Sequence, residues 1–193
     1  MSKSKSKILE SAKKLFHLKG FQQTSIDDIL NDSSVTKSNF YYHFKSKEEL
    51  GLIYLDRRIK QYETEVLVST LGNKSENPSS RIGKFYEKVK TFHKDLDCVK
   101  GCPFGNLAIE MSGANENFRE RLSTFFSRWE KSIEECIKEG TSNGEFRTDL
   151  SPKIMSQLIL SHLEGAIMMV KTHRSIDPLS SGSETIIKLL KAA

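Results

Sequence analysis

The chain is poor in what membrane proteins, secreted scaffolds and most catalysts need. No apolar run approaches the ~20 residues that span a bilayer, and Met1 leads into polar residues rather than the apolar stretch of a secretion signal. Neither membrane association nor export is expected, which puts the chain in the cytoplasm. Three cysteines, an odd number, cannot build a disulfide framework. Four prolines and few alternating β-branched runs argue against a sheet protein. There is no P-loop, no G-x-S-x-G elbow, no H-E-x-x-H helix and no Gly-rich dinucleotide turn. The five histidines are scattered, and acid pairs such as Glu134 and Glu135 read as solvated helix faces. Cys98 and Cys102 without a nearby His or Cys pair are an incomplete zinc ligand set. The expectation is therefore no enzymatic activity, no metal and no cofactor. At 193 residues, with no internal repeat, the chain can bury a core as one large or two small domains.

What is present begins with charge. Residues 1–47 hold nine lysines against Glu10, Asp27, Asp28 and Asp32. The other 146 residues balance 21 basic against 21 acidic side chains, so the net +5 of the chain lies entirely in the first quarter. An excess of that kind favours phosphate contact and counterion release. Lys3, Lys5 and Lys7 alternate with serine, and two readings of them stay open: a solvated terminus, or an arm that tracks a nucleic-acid backbone.

The same segment carries the most specific pattern. In residues 25–47, SIDDILNDSSVTKSNFYYHFKSK, Ser25 and Asp28 form a capping box, and Ile26, Ile29 and Leu30 give a short helix one apolar face. Asn31, Asp32, Ser33 and Ser34 are turn formers. Thr36 then caps a second helix, Lys37 to about His43, that buries Phe40 with Phe44 and shows Lys37, Ser38, Asn39, Tyr41 and Tyr42 outward. A helix-turn-helix places such a second helix in the DNA major groove, and these donor-rich side chains suit base edges and phosphates. The run from Lys7 through Leu50, with G-F-x-x-T-S before F-Y-Y-H-F-K-S-K-E-E-L, resembles the N-terminal domain of the TetR family of bacterial transcriptional repressors. Lys37, Ser38, Asn39 and Tyr41 of the outward face are the expected groove contacts, and the resemblance implies backbone contacts from Thr24, Ser25, Tyr42, His43 and Lys47. Ser34 departs from the family's usual turn glycine, so the turn is expected to carry some strain.

Beyond the motif the chain reads as helix throughout, about nine helices in all. The first runs roughly Lys5 to Lys19, and Ser46 with Glu49 caps a fourth that continues to about Leu71. Later helices are expected at about Arg81–Leu96, Asn106–Ser112, Glu116–Glu139, Pro152–His173 and Glu184–Lys191, with Asp97–Phe104 and Gly140–Asp149 as breaks. This is an all-α chain: a three-helix DNA-binding domain over 1–47, then a helical effector-binding and dimerisation domain over 48–193. Met155, Leu158, Ile159, His162, Leu163, Ala166, Ile167 and Val170 make one apolar stripe, which Leu160, Met168 and Met169 widen to a second face. A two-fold dimer through 151–173 and 184–193 is expected, reading half-sites about one helical turn, ~34–36 Å, or a multiple apart on pseudo-palindromic double-stranded DNA. His162 reads as a packed core histidine.

A second segment, KGCPFGNLAIEMS over 100–112, resembles a subgroup of the family with a G-C-x-x-G-N-x-x-x-E pattern, matched by Gly101, Cys102, Gly105, Asn106 and Glu110. The resemblance implies a cysteine that senses oxidants or electrophiles. Chemistry leaves two readings of Cys102 open, a thiol activated by Lys100 or a helix N-terminus, and a small buried residue in a tight bend. Cys98, four residues earlier, lies near enough in sequence to pair with it if the loop allows. Phe85, Phe92, Phe104, Phe125, Trp129 and Met111 are candidate walls of an effector pocket, with Asn106, His93 and Glu110 as candidate polar groups. The function expected is a one-component DNA-binding regulator, released from its operator by a small molecule or by cysteine modification. The competing class, a helical redox or ligand sensor that does not bind DNA, leaves the charge of the first 47 residues without a purpose.

Overall fold

A computed structural model describes residues 2–191. Of the expected dimer segment 184–193, Ala192 and Ala193 lie outside them. The described residues form nine α-helices: α1 Lys3–Lys19, α2 Ile26–Ser33, α3 Lys37–His43, α4 Lys47–Tyr62, α5 Pro78–Lys94, α6 Pro103–Met111, α7 Glu116–Ser142, α8 Pro152–His173 and α9 Asp177–Leu190. There is no strand among them, only an isolated antiparallel bridge between Phe146 and Lys191. The fold is all-α, as the periodicity predicts.

The chain packs as two compact units. One joins the chain up to Lys60 with Pro103–Leu122; the other joins Gln61–Cys102 with the chain from Ser123 on. In the first unit Ile8, Leu9, Ala12, Leu15 and Phe16 of α1 are buried, as are Ile29 of α2 and Phe40 of α3. Phe21 lies against Phe16 at 5.0 Å and Phe118 at 4.9 Å between ring centroids. Gly51 lets α4 come that close: a Cβ there would lie 2.4 Å from the Phe21 ring. In the second unit the core is Ile82, Phe85 and Val89 of α5, Phe125, Trp129 and Ile133 of α7, and one face of α8. Arg81, 1 % exposed, ties α5 to its neighbours by donating to the Leu71 carbonyl and to Glu139 of α7 at 2.8 Å.

Several boundaries differ from the sequence reading. The expected fourth helix does not run as one α-helix to Leu71: after Tyr62 the backbone widens into a π-helical stretch, Glu63–Val68. Helices α5 and α6 begin at Pro78 and Pro103, earlier than expected, because a proline at the first helical position costs no hydrogen bond and has its φ preset. Pro178, the second residue of α9, likewise forfeits no intrahelical bond, and that helix starts at Asp177 rather than Glu184. Helix α7 continues through Gly140 to Ser142. The α8 stripe also divides. Met155, Ile159, Leu163, Ala166, Ile167 and Val170 are buried, while Leu158 is 50 % exposed and sits with Ile154 one helical position to the side. Met168 and Met169 are exposed as well.

Ser34, the turn residue between α2 and α3, adopts φ 53°, ψ 39°, a left-handed conformation. The strain of an L-residue there is roughly 1–2 kcal/mol, offset on replacement by the ~0.5–1 kcal/mol entropy that glycine costs. Ser34→Gly should therefore stabilise the protein by roughly 0.5–1 kcal/mol, a rise of about 1–4 °C in Tm at this size. A thermal melt that shows no rise, or a fall, would overturn the strain assignment.

Candidate nucleic-acid interface and sensor region

The recognition surface starts at its caps. Ser25 closes the α2 capping box: its hydroxyl accepts the Asp28 N–H at 3.0 Å, and the Asp28 carboxylate accepts the Ser25 N–H at 2.9 Å. The Ser25 N–H, then Lys19 and the Ser25 hydroxyl, which donates at 2.9 Å, hold the Asp28 carboxyl down at about 2. Thr36 caps α3, its hydroxyl accepting the Asn39 N–H at 3.4 Å. On α3 the buried Phe40 lies 5.7 Å from the buried Phe44. The other face presents Lys37, Ser38, Asn39, Tyr41 and Tyr42 to solvent, Tyr42 being 82 % exposed. Lys37 forms no ion pair among the described residues, which leaves its ammonium available to a phosphate or a base edge. Helix α1 starts at Lys3, so its N-terminal lysines stand on a helix rather than a loose arm. Lys5 reaches over the Phe44 ring at 5.4 Å.

Three of the expected backbone-contact residues have inward work. Thr24 is fully buried, and its hydroxyl donates to the Gly20 carbonyl at 2.7 Å. Lys47 donates to the carbonyls of Phe21, Gln22 and Thr24 at 3.0, 3.2 and 2.9 Å and lies 4.6 Å over the Phe21 ring. Burial lowers its pKa against the opposing pull of Glu110. His43 Nε2 meets the Ser4 hydroxyl at 2.8 Å and that of Ser2 at 3.1 Å, tying the start of α1 to the end of α3. The Ser46–Glu49 box forms only in half. Ser46 accepts the Glu49 N–H at 3.0 Å, but the Glu49 carboxylate turns to the Lys45 N–H at 2.6 Å.

With that geometry in place, comparison with known proteins is decisive. Residues 8–52 match the family model for bacterial regulatory proteins of the tetR family, and residues 78–186 match the tetracyclin repressor-like C-terminal domain. The chain belongs to the TetR family. It is a DNA-binding transcriptional regulator with a helix-turn-helix reader, of a family that is not one of enzymes; its partner is operator DNA, and regulators of this family work as dimers. Among its relatives, an uncharacterized HTH-type regulator of Lactococcus lactis subsp. lactis is 30 % identical over 95 % of this chain and 91 % of that protein. The HTH-type transcriptional repressor DhaR of Mycobacterium sp. is 28 % identical over 95 % and 90 %. The reduced form of Escherichia coli NemR shares the fold with a TM-score of 0.89 at 21 % identity, covering 100 % of this chain and 99 % of that one.

The effector candidates of this TetR-family chain fall into both units. Phe85, Phe125 and Trp129 meet in the second, where the Trp129 ring lies 5.5 Å from Phe125, 6.2 Å from Phe85 and 4.7 Å from Tyr62. Phe92 packs edge-on to His93 at 5.2 Å. Phe104, Asn106, Glu110 and Met111 belong through α6 to the first unit. There Asn106 and Glu110 help line a crevice of about 20 Å³ beside Phe16, His17 and Tyr54, room for about one water. Cys98, Cys102 and Cys136 are all buried thiols, so the Cys98–Cys102 pairing is not made. Cys102 immediately precedes α6, and its side chain hydrogen-bonds Glu164 of α8. Tyr62 feels both groups, and burial pushes its phenol well above the ordinary value.

Tyr62 and Glu164 were missed as site residues by the sequence reading. A signal for Glu164 exists: it is the sole Asp, Glu, Lys or Arg between Lys153 and Lys171. Elsewhere on the second unit, Leu158, His162, Pro178, Gly182, Ile186 and Leu189 line an open groove of about 380 Å³ between α8 and α9. No helix of the described residues is long and apolar enough to cross a membrane, and no group of metal-ligating side chains gathers among them.

Burial raises the Glu164 carboxyl above its ordinary 4.5, with Cys102 pulling weakly the other way. A carboxyl that holds its proton more tightly folded than unfolded loses stability as pH rises from ~4.3, the unfolded value, through the folded one. Glu164→Gln removes that loss. In melts the variant should match the wild type below pH ~4 and exceed it at pH 7; an equal gap at both pH values would contradict the assignment.

Proposed function

We propose that this chain is a repressor that grips a pseudo-palindromic operator with the α3 helices of two copies. The carrying observation is the division of α3: Phe40 is buried, while Lys37, Ser38, Asn39 and Tyr41 stand exposed on one donor-rich face. Ser25 and Tyr42 flank that face and suit phosphate contact. Thr24, His43 and Lys47 serve it by fixing the loop before α2 and the end of α3. The two copies join through α8 and α9, where Ile154, Leu158 and Leu189 are 60, 50 and 45 % exposed beside the groove. Apolar exposure of that extent on two adjacent helices fits a self-complementary interface.

Release from the operator starts in the second unit. Cys102 stands beside the half-buried carboxyl of Glu164, to which its side chain hydrogen-bonds. Addition of the thiol to an electrophilic alkene such as a maleimide would form a carbon–sulfur bond as the C=C π bond opens, with the thiol's proton ending on the adjacent carbon, and would place new bulk directly before α6. An apolar effector against Tyr62, Phe85, Phe125 and Trp129 would act at the same place. Two buried donors there, Trp129 Nε1 and the Tyr86 hydroxyl, have no hydrogen-bond partner among the described residues, so an acceptor on that effector would be favoured. Either event biases the dimer toward a state whose readers no longer match the half-site spacing.

The test is binding of purified protein to the intergenic DNA upstream of its own gene. Asn39→Ala should weaken specific binding by about 1–3 kcal/mol. If Lys37 meets a phosphate, Lys37→Ala should lower the salt slope by about 1. N-ethylmaleimide should release the wild type and leave Cys102→Ser bound. Equal loss from both proteins would remove Cys102 from the switch, and wild-type binding no tighter than to unrelated DNA would overturn the repressor reading.

A further inference from the structure

The loop between α1 and α2, residues 20–25, is held from two sides. From α4 comes the Lys47 ammonium with its three carbonyl contacts. From α6 comes Glu110. Its carboxylate Oε2 accepts the backbone N–H of Gln22 at 3.0 Å, and its main-chain carbonyl accepts the Gln22 side-chain Nε2–H at 2.7 Å. A residue in the middle of the chain thus accepts two hydrogen bonds from one 88 positions earlier, inside the DNA-reading unit.

Gly20 is part of the device. It sits at φ +88°, which favours glycine, and a Cβ on it would lie 2.5 Å from the Glu110 carboxylate Oε1. The space into which the carboxylate leans is the space that a side chain would take. Glu110 and Lys47 also attract each other across the loop. The loop runs directly into Ser25, the cap of α2, and its Thr24 hydroxyl ties back to Gly20.

We infer that Glu110 is a positioning residue for the DNA reader: it latches α6 to the α1–α2 loop and so sets the seat of the helix-turn-helix. The inference rests on the repressor reading for its consequence, since a shift of α6 would loosen the latch and lower operator affinity. It departs from the expectation that Glu110 is a polar group of an effector pocket. The geometry also explains why this carboxylate belongs at the end of α6: a shorter side chain would not reach the Gln22 amide, and an apolar one would leave that amide without its acceptor.

The experiment compares wild type, Glu110→Ala and Glu110→Gln as full-length protein in two readouts. The first is hydrogen–deuterium exchange at the Gln22 amide. The second is affinity for the upstream intergenic DNA beside an unrelated duplex. The latch predicts faster exchange at Gln22 in Glu110→Ala and an operator affinity lower by about five- to tenfold, within the usual range of site coupling. Binding to the unrelated duplex should be unchanged. Glu110→Gln keeps an oxygen acceptor and should restore most of both. A protected Gln22 amide in Glu110→Ala, or full operator affinity with fast exchange, overturns the latch. Equal loss in Glu110→Gln and Glu110→Ala overturns it too, by assigning the effect to charge alone. If the wild type fails to bind the operator, the repressor reading falls while the exchange arm still decides whether the contact holds the loop.

Discussion

A seven-residue helix does not hold itself together in water. Nucleation is unfavourable, and isolated helices shorter than ~12–15 residues are marginal. Helix α3 therefore exists because Phe40 is driven into the core of the first unit and because Thr36 caps its open N-terminus. Everything that a DNA reader needs follows from that burial. With Phe40 inside, the 100° step of the helix turns Lys37, Ser38, Asn39 and Tyr41 outward. The cost of shortness is that α3 has no rigidity of its own, so its orientation is inherited from neighbours: His43 tied to Ser2 and Ser4, and the α1–α2 loop tied by Lys47 and Glu110.

The distribution of charge fits this division of labour. Lysines with structural partners, such as Lys14 with Asp32, Lys19 with Asp28 and Lys47 with three carbonyls, fix the reader. Exposed pairs of this kind add little stability each, but they leave Lys37 on the reading face without a competing carboxylate among the described residues. The second unit is built on different terms, around packed aromatics and a few buried polar groups. The half-buried Glu164 is one of these: Cys102 hydrogen-bonds its carboxyl, its Oε1 has no partner among the described residues, and desolvation raises its pKa.

Much of this was legible in the sequence. The Ser25–Asp28 box, the Thr36 cap, the buried Phe40 and Phe44 and the outward α3 face all follow from short-range rules, because capping and helical period act over three or four residues. Boundaries were missed where one residue type carries two meanings. Pro78, Pro103 and Pro178 all stand in the first turn of a helix, as Pro152 was expected to, yet a proline also reads as a breaker. The π-helical stretch after Tyr62 leaves no mark in a 3.6-residue pattern. Gly20, Gln22 and Glu110 were out of reach for another reason: their meeting depends on tertiary packing across 88 residues, which no local periodicity encodes. Thr24 and Lys47 were expected as backbone contacts from the family resemblance, and only the folded loop shows their polar atoms turned inward.

The central claim is that the exposed face of α3, presented twice by a two-fold dimer, reads the operator. Hydroxyl-radical footprinting on the intergenic DNA upstream of the gene tests it most directly. The account predicts two protected patches related by two-fold symmetry, their centres ~34–36 Å or a multiple of it apart. Uniform protection along the duplex, or a single patch without a symmetric mate, would contradict it.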